Sequence, residues 1–178
     1  MKALTLHQYW ATLMALLLKK IETRGWYTSY RGEIAIHAAA VVPKEALYSF
    51  VDTPEAARAL QPLGIKKPSQ LKELPLGVIV GVADLVGCIP TNDAHSADRI
   101  TGRVFQPPHT LSDEYAFGNY GVNRYMWFTE NLRPLSVPVP VRGYQRIWNV
   151  PADIEARVRV QFESDSGLSV TQSGKGAI

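Results

Sequence analysis

The sequence predicts a mixed α+β domain, several strands wound around two or three helices, rather than a doubly wound parallel sheet. Two observations carry this. The longest apolar run, Leu76 to Ile89, is mostly β-branched and reads as a strand covered on both faces. An early segment, about Gln8 to Lys20, instead places Trp10, Leu13, Met14, Leu17 and Leu18 at spacings of three and four, which is helical and tucks one helix between strands.

The remaining elements follow in chain order. Lys2 to Leu6 is a short apolar run suited to a first strand. The two lysines at the end of the helical segment suit its negative pole, and Gly25 lies just beyond. Trp26 to Tyr30 and Glu33 to Ala38 read as two short strands broken by Arg31-Gly32. Pro43 to Leu63 reads as helical, interrupted at Pro54 and stopped by Gly64. Lys66 to Pro75 is a polar connection, and Pro90 to Ser112 a long surface loop without periodicity. Arg124 to Asn131 alternates as a strand, with Tyr125 and Trp127 on one face and Met126 and Phe128 on the other. Pro138 and Pro140 bar Leu135 to Val141 from a central strand. Tyr144 to Val150 closes the sheet, and Pro151-Ala152-Asp153 opens a last helix of about ten residues. The expected organisation is one domain over residues 1–163 and a Ser/Gly-rich, disordered tail over 164–178.

Composition bounds the function. The chain has 178 residues, 46% of them hydrophobic, and a net charge of +3, far from the dense basic blocks of histone-like tails. That excess is local: residues 1–42 hold Lys2, Lys19, Lys20, Arg24 and Arg31 against Glu22 and Glu33, and the rest of the chain balances. The single cysteine, Cys88, excludes an intrachain disulfide framework and fits a buried thiol in a reducing compartment. The apolar stretch Ala3 to Leu18 is too short to span a bilayer, and its lysines follow it, the wrong order for a secretory signal. The expectation is a cytoplasmic protein, monomeric, with no membrane partner. His95 and His109 lie in the long loop without ligand spacing, so no metal or other cofactor is expected.

The densest group of unusual residues runs from Lys20-Ile-Glu-Thr-Arg24 through Trp26 and Tyr30-Arg31-Gly32 to Ile36-His37-Ala38. It gathers Lys20, Arg24 and Arg31 as cations, Glu22 as an acid, Thr23 as a hydroxyl and Trp26 as a flat aromatic, which are the groups a phosphate and a stacked base need. A surface Glu22–Arg24 ion pair beside a core tryptophan would account for the same residues. His7 precedes the early helix and could cap it or face a cleft. Tyr30 and Tyr125 are further stacking candidates, whereas Trp10 at helical spacing, Trp127 and Trp148 read as core, and His37 reads as a satisfied core histidine.

These motifs, with Leu4-Thr-Leu-His-Gln-Tyr-Trp-Ala11, Gly77-Val-Ile-Val-Gly-Val-Ala-Asp-Leu85, Asn123-Arg-Tyr-Met-Trp127 and Pro138-Val-Pro-Val-Arg-Gly143, resemble the signature of the ASCH domain family over about residues 2–150. Tyr9 departs from it, since these proteins often carry proline after His-Gln. The resemblance implies a PUA-like small β-barrel with a cleft between the early helix and the barrel, and an RNA or modified-nucleobase binding module. Lys20, Glu22, Arg24, Trp26, Tyr30, Arg31, His7 and Tyr125 are then the expected binding residues. It also implies an alternative: one branch removes the acetyl group from N4-acetylcytidine with a lysine, a threonine three residues on and a distant glutamate. Lys20 and Thr23 match by spacing, and Glu114 in Ser112-Asp-Glu-Tyr115 is the candidate third residue. In that chemistry Lys20 is base for the Thr23 hydroxyl and Glu114 protonates the leaving amine. Fully extended residues would put Lys20 and Thr23 on opposite faces, so the mechanism requires helix to persist to about Thr23. A ribonuclease, with Lys20, Arg24 or Arg31 opposite the phosphorane, and a protein-interaction module are the other readings.

Overall fold

The computed structural model describes residues 1–93 and 96–166 of the chain. Its centre is one six-stranded sheet in the order β2-β5-β4-β3-β1-β6, with β1 Lys2–Leu6, β2 Ile21–Arg24, β3 Gly32–Ala38, β4 Val78–Pro90, β5 Tyr125–Pro140 and β6 Ile147–Asn149. Only β1 and β3 run parallel; the other pairs are antiparallel. Register shifts after Ile79, Val82 and Leu85 bend the long β4–β5 ladder, and the sheet curls into a half-barrel whose edges β2 and β6 stay open. The α+β class and the barrel-type curvature are as expected from the sequence.

Strand alternation divides the interior. Leu4, Leu6, Ile34, Ile36, Leu85 and Trp127 face one core, which helix α1 (Trp10–Ala15) covers with Ala11 and Met14. Ala3, Ala35, Ile79 and Val82 face the other side, covered by Ile154 and Val158 of helix α5 (Ala152–Ser166). Helices α2 (Lys44–Val51) and α3 (Pro54–Leu60) pack behind α1 on Tyr9 and Leu13, ending at Gly64 with φ +80°, as the proline and glycine signals indicate. Met126 and Phe128 join Ile21, Ile89 and Phe105 in a fourth cluster.

Three expectations are corrected, and a fourth is refined. The early helix has six residues, not thirteen: Leu17 adopts φ +62°, and the N–H groups of both Leu18 and Lys19 turn back to the Leu13 carbonyl. The strand after it is Ile21–Arg24 rather than Trp26–Tyr30, because residues 21–24 pair with Phe128 to Tyr125. The stretch from Leu135 to Pro140 belongs to β5 but, as its prolines require, is not flanked on both sides: β2 pairs only with the first four residues of β5, and beyond them that side of β5 is an edge, where a missing N–H costs nothing. The last helix reaches Ser166, into the expected tail, and 167–178 lie outside the described residues.

The described residues of the long loop over 91–112 are fastened to the sheet. Asp98, 1% exposed, accepts from Arg31 Nε at 3.1 Å and from Arg31 Nη2, from Cys88 N at 2.9 Å and from Thr101 N at 2.8 Å. Phe105 stacks on Phe128 at 4.5 Å, in space left by Gly87, where a Cβ would meet the Phe105 ring at 2.4 Å. Cys88 is buried, and burial pushes its thiol up to about 11, so it is an inert structural thiol. Among the described residues no helix is long and apolar enough to cross a membrane.

Candidate nucleic-acid interface

Two hollows meet at one end of the sheet. The first, about 480 Å3, is lined by His7 and Trp10 at the start of α1, Glu22 to Trp26 from β2 onward, Glu45 and Ser49 of α2, and Asn119 and Arg124 before β5. The second, about 640 Å3, lies toward the β5–β6 loop. His7, Arg24 and Trp26 line both and form their common wall.

Local structure explains who faces the cleft. Gln8, fully buried, accepts from Thr12 N at 3.1 Å and Thr12 Oγ1 at 2.8 Å, and donates to Pro75 O at 2.7 Å. Gln8 thus anchors the start of α1, and His7 stays exposed at the cleft mouth. Alternation along β2 sends Ile21 and Thr23 inward and leaves Glu22 and Arg24 half-buried. Glu22 pairs with Arg24 Nε at 3.2 Å and with Lys19 Nζ at 3.6 Å, while Arg24 Nη2 donates to Thr5 O at 2.8 Å. The carboxylate and the guanidinium are therefore fixed before any ligand arrives. Trp26 stands edge-on to the buried Trp127 at 4.5 Å and receives the Trp127 indole N–H on its carbonyl at 3.3 Å.

Not every candidate reaches the site. Arg31 is consumed by Asp98 and by the Thr28 and Tyr30 carbonyls. Tyr30 turns its hydroxyl to Glu33 O, and Tyr125 packs edge-on to Tyr27 at 5.7 Å; none of these three lines either hollow. Lys20 is exposed and lines neither. The lysine that folds inward is Lys19, 0% exposed, donating to Ile21 O and pairing with Glu22. Trp10, read as core, lines the first hollow half-buried, stacked on Tyr9 at 4.7 Å. Trp10 and Arg124 fall inside the signature motifs without being marked there as cleft residues, and Asn119 carries no sequence signal.

The hydrolytic trio is arranged otherwise than its mechanism needs. Glu114 does reach β2, but it accepts from the backbone N–H groups of Lys20 at 2.7 Å and Ile21 at 3.1 Å. Burial raises its carboxyl above the ordinary range, partly offset by Lys19 and those two N–H groups. The Thr23 hydroxyl accepts from Asn119 N at 3.0 Å. Helix ends at Ala15, so the persistence to Thr23 that would bring it to the Lys20 ammonium is missing. His37 is buried with Nε2 3.0 Å from Val141 O; a carbonyl only accepts, so the proton sits on Nε2 and Nδ1 is left as a buried acceptor without a partner. Burial lowers its basicity. Among the described residues no group of three His, Cys, Asp or Glu could hold a metal, and His95 lies outside them.

A profile of the ASCH domain matches residues 4–136. Activating signal cointegrator 1 from Homo sapiens is 25% identical over 151 residues, covering 85% of this chain, and its Mus musculus counterpart is 25% identical over 152. The chain spans 22% of the length of these curated relatives. A crystal structure of ASCH from Zymomonas mobilis aligns over 89% of this chain and 93% of its own, with 12% identity and a TM-score of 0.48.

Proposed function

Because the chain belongs to the ASCH domain family, we propose that it is an RNA or modified-nucleobase binding module whose first hollow receives one base. The observation that carries this is the joint placement of two half-buried indoles, Trp10 and Trp26, with Arg24, Arg124 and a fixed Glu22 in one cleft of about 480 Å3. That volume falls within the roughly 300–1,000 Å3 of small-ligand sites. An indole face stacks any base, and a carboxylate held by Lys19 and Arg24 can accept from an exocyclic amine such as that of cytosine. Binding is favoured over amide hydrolysis because the Thr23 hydroxyl is engaged by Asn119 and the extended β2 separates it from Lys20.

Titration of fluorescein-labelled single-stranded RNA and of free nucleosides tests this. Binding should weaken with salt, and Trp26→Ala should weaken RNA binding by about 5- to 150-fold, the equivalent of one lost base stack of roughly 1–3 kcal/mol. Absence of RNA and nucleoside binding at low salt would remove the reading. Incubation with N4-acetylcytidine is expected to release no cytidine; turnover abolished by Lys20→Ala would restore the hydrolytic alternative.

A further inference from the structure

The second hollow differs from the first in charge. Arg24, Arg142 and Arg146 line it together with His7 and His37, and among the described residues no carboxylate does, whereas Glu22 and Glu45 line the first. Arg142 and Arg146 are exposed, and among the described residues neither pairs with an acid. Elsewhere Arg31, Arg58, Arg103, Arg133 and Arg159 each have a carboxylate partner. Arg99 and Arg124 have no carboxylate partner among the described residues either, but the second hollow gathers two such cations, Arg142 and Arg146, on a wall adjoining the base cleft.

The loop carrying them is held in place. Val141 O accepts from His37, and Gly143 lies so close to the His37 ring that a Cβ would meet Cε1 at 2.3 Å and Thr5 Oγ1 at 2.9 Å. Tyr144 packs edge-on to Trp148 at 5.6 Å, with the Arg142 guanidinium 5.6 Å from the Tyr144 ring. Arg146, a non-glycine residue, takes φ +61°, and its guanidinium lies 5.7 Å from the Trp26 ring, the indole shared by both hollows. Backbone strain of this kind is retained where the surroundings impose it, and here it brings a free cation beside the stacking residue.

We infer that the second hollow is a phosphodiester subsite, in which Arg142 and Arg146 grip the sugar–phosphate of the nucleotide next to the one whose base occupies the first hollow. The preferred ligand is then a single strand of at least two nucleotides, which binds more tightly than a free nucleoside or a lone nucleotide. This rests on the base-cleft reading above and deepens it. Preorganised, unpaired guanidiniums suit a phosphate because they form two parallel charge-assisted hydrogen bonds without first breaking an ion pair.

The test compares wild type with Arg142→Ala/Arg146→Ala, using a labelled single-stranded RNA of about eight nucleotides, cytidine and cytidine 5′-monophosphate as probes, with thermal melts to verify the fold. Loss of two phosphate contacts should cut RNA affinity by about tenfold or more at low salt. It should also lower the slope of log affinity against log salt by about 0.7, the value for one single-strand phosphate. Cytidine affinity should not change. Unaltered RNA affinity and slope in the double variant would overturn the inference while leaving the base cleft standing. A mononucleotide binding as tightly as the RNA would also overturn it. Wild type binding neither RNA nor cytidine would instead defeat the base-cleft reading, and the subsite with it.

Discussion

Asp98→Ala should destabilise the protein by about 3–5 kcal/mol, lowering the melting temperature by roughly 6–20 °C, because it leaves the Arg31 guanidinium inside the fold without its counter-charge. The N–H groups of Cys88, Ile100 and Thr101 lose their acceptor as well. Urea denaturation measures the loss, and a value under about 1 kcal/mol would show that the pair is not structural. Replacing both partners, Arg31→Met with Asp98→Leu, should recover only the part due to the uncompensated charge, since the N–H groups of Cys88, Ile100 and Thr101 still lack an acceptor. The pH dependence has a definite sign. Burial alone would raise the Asp98 carboxyl, but Arg31 and the N–H groups of Cys88 and Thr101 outweigh it and hold the carboxyl well below the usual range. A depressed carboxyl contributes stability that is complete above the unfolded value, near about 3.9, and is lost as pH falls toward the folded one. Wild type should therefore lose stability below about pH 4, and Asp98→Asn should lack that portion of the acid dependence.

Trp127→Ala should cost about 3–5 kcal/mol, the range for emptying a large buried aromatic site. It should also abolish the contribution of Trp26 to RNA binding, since Trp26 loses both its edge-on partner at 4.5 Å and the indole N–H on its carbonyl. Trp26→Ala separates the two effects: Trp26 is half-buried, so its removal should weaken binding as much while costing less stability. Equal stability losses in the two variants would contradict this division of labour between a buried support and a ligand-facing ring. Both are measured by urea unfolding alongside RNA titration.

How legible the site was depends on whether chemistry or position had to be read. Arg24, Glu22 and Trp26 stood out by residue type, and all three line the cleft. Arg31 stood out equally, yet its partner Asp98 is 67 residues away, in a loop without periodicity. The two adjacent lysines differ by one step in a chain that turns at Leu17, and that turn buries Lys19 while leaving Lys20 in water. Arg142 and Arg146 sit in a loop more than a hundred residues from Trp26, and the β4–β5 and β1–β6 pairings at its two ends bring that loop back beside it.

The sequence by itself determined the α+β class, the long β4, the Pro54 and Gly64 punctuation, the two faces of Tyr125 to Phe128 and the family. The family rests on the resemblance of ordered motifs, and the rest on side-chain periodicity and backbone preference, which are local properties. The tertiary structure alone decided where the early helix stops, how prolines are accommodated on the free side of β5, which lysine is buried and which arginines keep no acid partner. Each of those depends on distant residues, because burial, ion pairing and strand edges are properties of the assembled sheet and not of a segment.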